Sequence, residues 1–231
     1  MDDTGGFQGF SRETSRFLHD LKRNNNKGWF ESNKARYQDV LIKPLTELAS
    51  DLAPFMLSID SHMEVTPAVN KTISRIYRDT RFSRDKSPYK TTMWITYKRP
   101  RKNWVSAPAY FFEISEESYR YGMGFYSAEK GTMDGLRWAI NDDPAGFLKA
   151  TAFYSKQNAF AVEGEKYKRL LSETIPPELL DWYQRKNLYL VCNRKMEGSI
   201  FSRKLVADLK GGFSLLGPFY HYLRKVTEEV E

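Results

Sequence analysis

The chain has 231 residues and a formal net charge of +7, with 41% hydrophobic, 28% charged and 15% aromatic residues. This composition is typical of a globular protein with a sizeable core, and we expect a single domain over residues 1–231. The only cysteine, Cys192, excludes an internal disulfide, and the three scattered histidines exclude a zinc-finger spacing. Without a basic leader or an apolar run of roughly 18 residues, we expect a cytoplasmic protein with no membrane partner.

Helical patterns fill the N-terminal quarter of the chain. Ser11 is a suitable N-cap for a short helix that ends at the asparagines of residues 24–26. From residue 27 to residue 59 apolar side chains recur every three or four positions, which predicts a long amphipathic helix. Pro44 should kink or restart that helix. We expect residues 1–10 to be flexible.

In the middle of the chain the spacing of apolar residues changes from three or four positions to two. Alternating apolar and polar residues predict strands at residues 92–97, 109–114 and 119–126, joined as an antiparallel meander. The preceding segment, residues 72–82, is rich in β-branched and aromatic residues and favours a strand. Its arginines at every third position would also fit a helix.

Helical patterns return in the C-terminal half. They cover residues 131–140 and then begin again at two proline-containing starts, Pro144 and Pro176. Residues 188–192 predict one more strand, and the chain ends in helix with an interruption at Gly211 and Gly212. The pattern indicates an α+β fold in which N-terminal and C-terminal helices pack on a largely antiparallel sheet.

The positive charge is concentrated in one segment. Residues 71–102 carry eleven Lys and Arg against two Asp, a local charge of +9, so the rest of the chain is slightly acidic. Such a concentration predicts an anionic partner, and the arginine fork favours a phosphate-bearing small molecule. We expect Asp79 to orient an arginine, Phe82 to pack beneath the site, and Lys90 to follow in the same loop. The candidate ligand-binding residues are Arg75, Arg78, Asp79, Arg81, Lys86 and Tyr89.

Two further places are secondary candidates. Gly122 and Gly124 leave one strand face bare between Arg120 and Tyr126, which would admit either a ligand or a closely packed neighbour. The loop after the first strand combines basic residues with an indole, which suits phosphate contact and base stacking but also fits a solvated turn. Its candidate residues are Lys98, Arg99, Arg101 and Trp104.

Alternative functions remain open. The basic loop and the basic segment together would form a nucleic-acid-binding surface, or the Arg–Asp pairs would be a structural clamp in a protein-interaction domain. A metal at Glu113, Asp79 and Asp85 would need a bridging phosphate in so basic a region, so we expect neither metal nor cofactor. The sequence lacks the phosphate-binding, zinc-protease, serine-hydrolase and dinucleotide motifs. It leaves open whether the protein is an enzyme and how many chains assemble.

One run of residues resembles a known family. The pattern Arg-x-x-Arg-Asp-x-Arg-Phe-x-x-x-Asp-Lys-x-x-Tyr resembles the signature of the DUF2461 family, bacterial proteins of about this length. Here it comprises Arg75, Arg78, Asp79, Arg81, Phe82, Asp85, Lys86 and Tyr89. The likeness extends to residues 10–18, 33–37 and 122–126, and therefore to most of the chain. It implies one domain with a shared site and names no reaction, substrate or cofactor.

Overall fold

The N-terminal region is helical in the computed structural model, which describes residues 5–100, 106–125 and 127–229. Its helices are α1 (Arg12–Arg23), α2 (Lys27–Ser32), α3 (Lys34–Tyr37) and α4 (Lys43–Ile59), with a π-helical turn (Gln38–Ile42) before α4. Ser11 precedes α1 in extended conformation, as predicted for the N-cap. The predicted long helix is divided into the short α2 and α3, the π-helical turn and the 17-residue α4. As predicted, the helix restarts at Pro44, which lies in the first turn of α4, where proline's missing N–H is tolerated.

The sheet has five strands and confirms the predicted α+β class. They are β1 (Met93–Tyr97), β2 (Pro108–Ile114), β3 (Ser118–Phe125), β4 (Ala161–Glu163) and β5 (Tyr189–Lys195). The sheet is antiparallel, and its strand order is β1-β2-β3-β5-β4. Strand β4 was not predicted, because three residues are too few to show an alternating pattern.

The described part of the C-terminal half contains four α-helices and two 3-10 turns, Tyr154–Lys156 and Gly198–Phe201. The α-helices are α5 (Lys130–Asp142), α6 (Pro144–Thr151), α7 (Pro177–Tyr183) and α8 (Lys204–Glu229). The predicted interruption at Gly211 and Gly212 is wrong, because α8 runs straight through both glycines. A Cβ on Gly212 would lie 2.6 Å from the ring of Tyr121 and 3.0 Å from that of Phe160. This glycine therefore allows a close approach of aromatic rings to an intact helix.

The predicted strand over residues 72–82 is also wrong. This segment forms isolated bridges in place of a strand: Ile73 bridges to Val69 and to Ile95, and Tyr77 bridges to Tyr89. Its isoleucines serve as single anchors: Ile73 and Ile76 are buried, whereas Arg75 is exposed and the aromatic Tyr77 is half exposed. Strand propensity in this segment reflects anchoring rather than a continuous ladder.

The chain forms two compact units, each built from three segments. The first comprises Met1–Tyr97, Phe111–Arg120 and Asn193–Gly211, and the second comprises Lys98–Tyr110, Tyr121–Cys192 and Gly212–Glu231. Aromatic side chains contribute to the core of the second unit, where the ring centroid of Tyr110 lies 5.1 Å from that of Phe213 and 5.1 Å from that of Tyr220. Among the described residues, no helix combines the length and the apolar character that crossing a bilayer requires.

Candidate functional site

The basic motif folds as a narrow hairpin in the first unit. The Arg78 amide donates to the Pro88 carbonyl at 2.9 Å, and the Lys90 amide donates to the Ile76 carbonyl at 2.7 Å. These bonds pair residues 76–78 with residues 88–90 and leave residues 79–87 as the connecting loop. The charged part of the motif is therefore carried on a loop with a fixed base.

Asn25, in the linker between α1 and α2, holds the base of the hairpin. Its side-chain amide donates to the Tyr89 carbonyl at 2.9 Å, and its Oδ1 accepts from the Tyr89 amide at 3.0 Å. The Tyr89 ring stacks on Phe30 with a centroid separation of 4.2 Å. Burial raises the pKa of the Tyr89 hydroxyl, which keeps its proton and stays a hydrogen-bond donor.

Within the loop, most charged groups pair with one another. Asp79 accepts from Arg81 Nε at 2.9 Å and from Nη2 at 2.6 Å. The hydrogen bond from the Arg81 side chain is the main cause that lowers the pKa of Asp79 to about 2. Lys86 Nζ donates to the Thr80 carbonyl at 2.9 Å. Asp79 therefore orients an arginine, whereas Arg81 and Lys86 turn toward their own loop.

Asp85 is the second internal acceptor of the loop. It accepts from the Ser87 amide at 2.9 Å and from the Ser87 hydroxyl at 2.5 Å, and it pairs with Arg78. These hydrogen bonds, first from Ser87 and then from Arg78, hold the pKa of Asp85 well below its usual range. Both aspartates of the loop stay ionised at neutral pH, and each is balanced by one arginine.

A cavity of about 620 Å³ opens beside this loop. Three of the predicted ligand-binding residues lie in its wall, whereas Arg75, Arg81 and Lys86 do not. The full lining is Lys22, Asn25, Arg78, Asp79, Asp85, Ser87, Tyr89, Lys90, Thr91, Thr92 and Trp94. All of these residues belong to the first unit, so the cavity lies within it.

Lys90 is the cation of this wall whose charge is least compensated. Its ammonium lies 5.3 Å from the ring centroid of Trp94 and forms no ion pair among the described residues. Burial, and next the positive charge of Arg75, lower the pKa of Lys90. The hydroxyls of Thr91 and Thr92, which follow it in the wall, make no hydrogen bond in the described part of the chain.

A hydrogen bond to Glu113 fixes the orientation of the Trp94 indole. Its Nε1 donates to Glu113 on β2, and Glu113 accepts from Arg120 Nε at 3.0 Å and Nη2 at 2.9 Å. Glu113 is therefore balanced by Arg120. This bidentate pair fixes the carboxylate and, through it, the ring that lines the cavity.

Lys22 brings α1 to the cavity wall. It pairs with Glu116, which also lies 3.1 Å from His19 Nδ1. The hydrogen bond to Glu116 raises the pKa of Lys22, and the pKa of Glu116 is lowered in turn. Lys22 therefore stays protonated, with its charge largely balanced.

Arg120, a secondary candidate on β3, does not lie in the cavity wall. Arg120 is bonded to Glu113, and Tyr126 lies outside the described residues. A Cβ on Gly122 would collide with the Leu190 carbonyl, and one on Gly124 would collide with the Leu188 carbonyl. The backbone around β5 thus fills the space beside these glycines, and no room for a ligand remains there.

The basic loop after β1 is described only at its first three residues, 98–100. Lys98 and Arg99 belong to the second unit, while Arg101 and Trp104 fall outside the described residues. Burial lowers the pKa of Lys98 to about 8, and Arg99 Nη1 lies 3.1 Å from Glu228.

The prediction that Phe82 packs beneath the site is wrong. Its side chain is 96% exposed, and its only close ring partner among the described residues is the Arg81 guanidinium at 5.8 Å. The loop turns at residues 81 and 82, which carries the ring into solvent. Hydrophobic character alone does not place a residue inside when the backbone turns away from the core.

Several wall residues escaped the sequence prediction. Lys22 and Asn25 are far from the motif in sequence, and only the tertiary structure brings them to it. Thr92 and Trp94 did have a signal, since they alternate with the core residues Met93 and Ile95 and must face the other side of β1. Within the described ranges, no three His, Cys, Asp or Glu side chains form a group that could hold a metal ion.

Comparison with known families assigns the chain. The model of a family of conserved hypothetical proteins, DUF2461, matches residues 13–222. The chain belongs to the DUF2461 family. The DUF2461 match contains every residue of the cavity wall, from Lys22 to Trp94. No curated protein matches the sequence.

Proposed function

We propose that this DUF2461 protein binds a phosphate-bearing small molecule in the cavity beside the motif loop. The observation that carries the proposal is Lys90, a partly buried cation with no carboxylate partner among the described residues. Desolvating a cation and placing it near Arg75 both cost free energy. A bound anion would offset both costs at once.

The groups around Lys90 suit phosphate. Phosphate oxygens accept several hydrogen bonds, and the neighbouring hydroxyls of Thr91 and Thr92 are donors that no described residue uses. Charge-assisted hydrogen bonds of this kind are about twice as strong as neutral ones. Any catalysis at this site would depend on the same groups stabilising developing negative charge.

The clamp and the binding site coexist in this proposal. Arg78 pairs with Asp85 and also lines the cavity, so the ion pairs of the loop shape one wall of the site. The clamp supplies a fixed loop, and the anion contacts come from Lys90 and its neighbours. The motif thus contributes mainly by fixing the loop, and not all of its arginines contact the ligand.

The test is to measure the affinity of inorganic phosphate and phosphate esters by calorimetry in the Lys90→Met variant. This change removes the charge and keeps most of the apolar stem. We expect a loss of affinity of ~10-fold or more, because a charge-assisted contact is removed. Arg84→Met is the matched control, since Arg84 is exposed, lies outside the cavity wall and makes no ion pair among the described residues.

The control separates local contact from net charge. Equal losses in the two variants would show a diffuse charge effect and overturn the proposal, as would unchanged affinity in Lys90→Met. Binding confined to oligonucleotides, with an affinity that falls steeply with salt and depends on both positions, would instead support a nucleic-acid surface.

A further inference from the structure

The cavity is larger than a phosphate group requires. Its volume of about 620 Å³ falls in the range of roughly 300–1,000 Å³ that holds whole organic ligands. Lys90, Thr91 and Thr92 are consecutive and account for only one part of the wall. The remaining wall residues must therefore face the organic part of the ligand.

That remaining wall contains two carboxylates, which is unusual beside an anion. Asp79 and Asp85 each accept three hydrogen bonds from the hairpin to which they belong. An ionised carboxylate has about four acceptor positions, so each retains capacity for about one more donor. A phosphate dianion has no proton to donate and would be repelled.

The charge balance of the two aspartates selects the kind of donor. Arg81 neutralises Asp79, and Arg78 neutralises Asp85. A positively charged group in the ligand would be repelled by these arginines and would gain little binding free energy from the aspartates. A neutral hydroxyl group donates one hydrogen bond to a carboxylate without adding charge, and it fits both positions.

Trp94 supplies the apolar part of the wall. Its ring is fixed through Glu113 and is a flat surface against which a carbon skeleton can pack. The cavity therefore combines an anion subsite, two hydrogen-bond acceptors and an apolar ring surface. These features together fit a molecule with a phosphate at one end and hydroxyl groups on a compact carbon skeleton.

We infer that the ligand is a phosphorylated polyol of the sugar phosphate class, with the phosphate at Lys90 and hydroxyl groups donating to Asp79 and Asp85. The inference rests on the proposed function and specifies its ligand. It assigns the two motif aspartates a direct role in ligand selection, in addition to their pairing with arginines.

The experiment compares glucose 6-phosphate with cyclohexyl phosphate and inorganic phosphate by calorimetry on the full chain. The first two probes share a six-membered ring and a phosphate but differ in hydroxyl groups. We expect glucose 6-phosphate to bind ~10-fold more tightly than cyclohexyl phosphate, as two additional hydrogen bonds to charged acceptors allow. In Asp79→Asn and, separately, in Asp85→Asn, this preference should shrink while inorganic phosphate binds at least as well as before.

A surface change, Asp39→Asn, is the control for net charge, because Asp39 is exposed and lies outside the cavity wall. Because the two aspartate variants are made separately, either one still tests the inference if the other disturbs the loop. Equal affinity for glucose 6-phosphate and cyclohexyl phosphate would overturn the inference and leave the proposed function intact. Failure of every phosphate compound to bind would overturn the proposed function itself. If adenosine monophosphate binds more tightly than glucose 6-phosphate, and its 2′,3′-dideoxy form binds equally well, the site recognises a stacked base and not hydroxyl groups. That result would overturn the inference.

Discussion

At the level of single residues, Lys90 carries a charge that its surroundings disfavour. Its side chain is partly withdrawn from water and lies near Arg75, and both effects lower its pKa. Groups with such perturbed pKa values tend to cluster at functional sites, although ion-pair networks produce them as well. Lys90 has no ion pair among the described residues, so the second explanation does not apply to it.

The lowered pKa of Lys90 leads to a prediction about stability and pH. Because the folded pKa lies below the unfolded value, the unfolded chain holds the proton more tightly, and stability increases as pH rises through this window. We expect Lys90→Met to raise Tm relative to the wild type at pH 7, and the difference to shrink as pH rises toward 10. Differential scanning calorimetry of both proteins across this range would measure it. A difference that is constant with pH would show that packing, and not the charge, is responsible.

At the scale of the element, α8 shows how two adjacent glycines can have opposite roles. A Cβ on Gly211 would meet nothing within 4 Å, whereas one on Gly212 would press against the Tyr121 ring at 2.6 Å. We expect Gly211→Ala to stabilise the protein by about 0.5–1 kcal/mol, because alanine is the better helix former. We expect Gly212→Ala to destabilise it by ~1–3 kcal/mol through overpacking.

Urea unfolding of the two glycine variants would measure these changes, and each serves as the control for the other. The two variants carry the same substitution at neighbouring positions of one helix, so local packing is the main difference between them. Destabilisation by both variants would mean that α8 needs a flexible point at these residues, as the sequence pattern suggested.

The elements with a regular period could be predicted from the sequence, and the others could not. Alternation at residues 92–97 and helical spacing at residues 12–23 each reflect one buried face, and both elements formed as expected. The motif hairpin has no period, because its position depends on single anchors such as Tyr89 and on the distant Asn25. Likewise, the continuity of α8 depends on rings that approach Gly212 from outside the helix.

At the scale of the whole molecule, the local charge of +9 overstates the positive charge available to a partner. Arg78 and Arg81 are balanced within the loop, and Arg99 pairs with Glu228. In the described part of the chain, the cations of this segment left without any ion pair include Arg75, Lys90 and Arg84. The number of cations in this segment follows from the sequence, but only tertiary pairing shows which of them have no ion pair among the described residues.

The division of the chain into two units leads to a prediction about cooperativity. Each unit is assembled from three separate segments, and the boundaries pass through β2, β3, β5 and α8 themselves. Unfolding one unit alone would break these elements in the middle and leave half of each without its hydrogen-bonded continuation. We therefore expect both units to unfold in one transition.

Native-state hydrogen exchange, followed by mass spectrometry at increasing denaturant, measures this directly. Peptides from α4 report on the first unit, and peptides from residues 213–223 report on the second. We expect the slowest amides of both regions to share one opening free energy and one denaturant dependence, since both would exchange through global unfolding. Two distinct opening free energies would show that the units open separately, in spite of the strands and the helix that pass from one to the other.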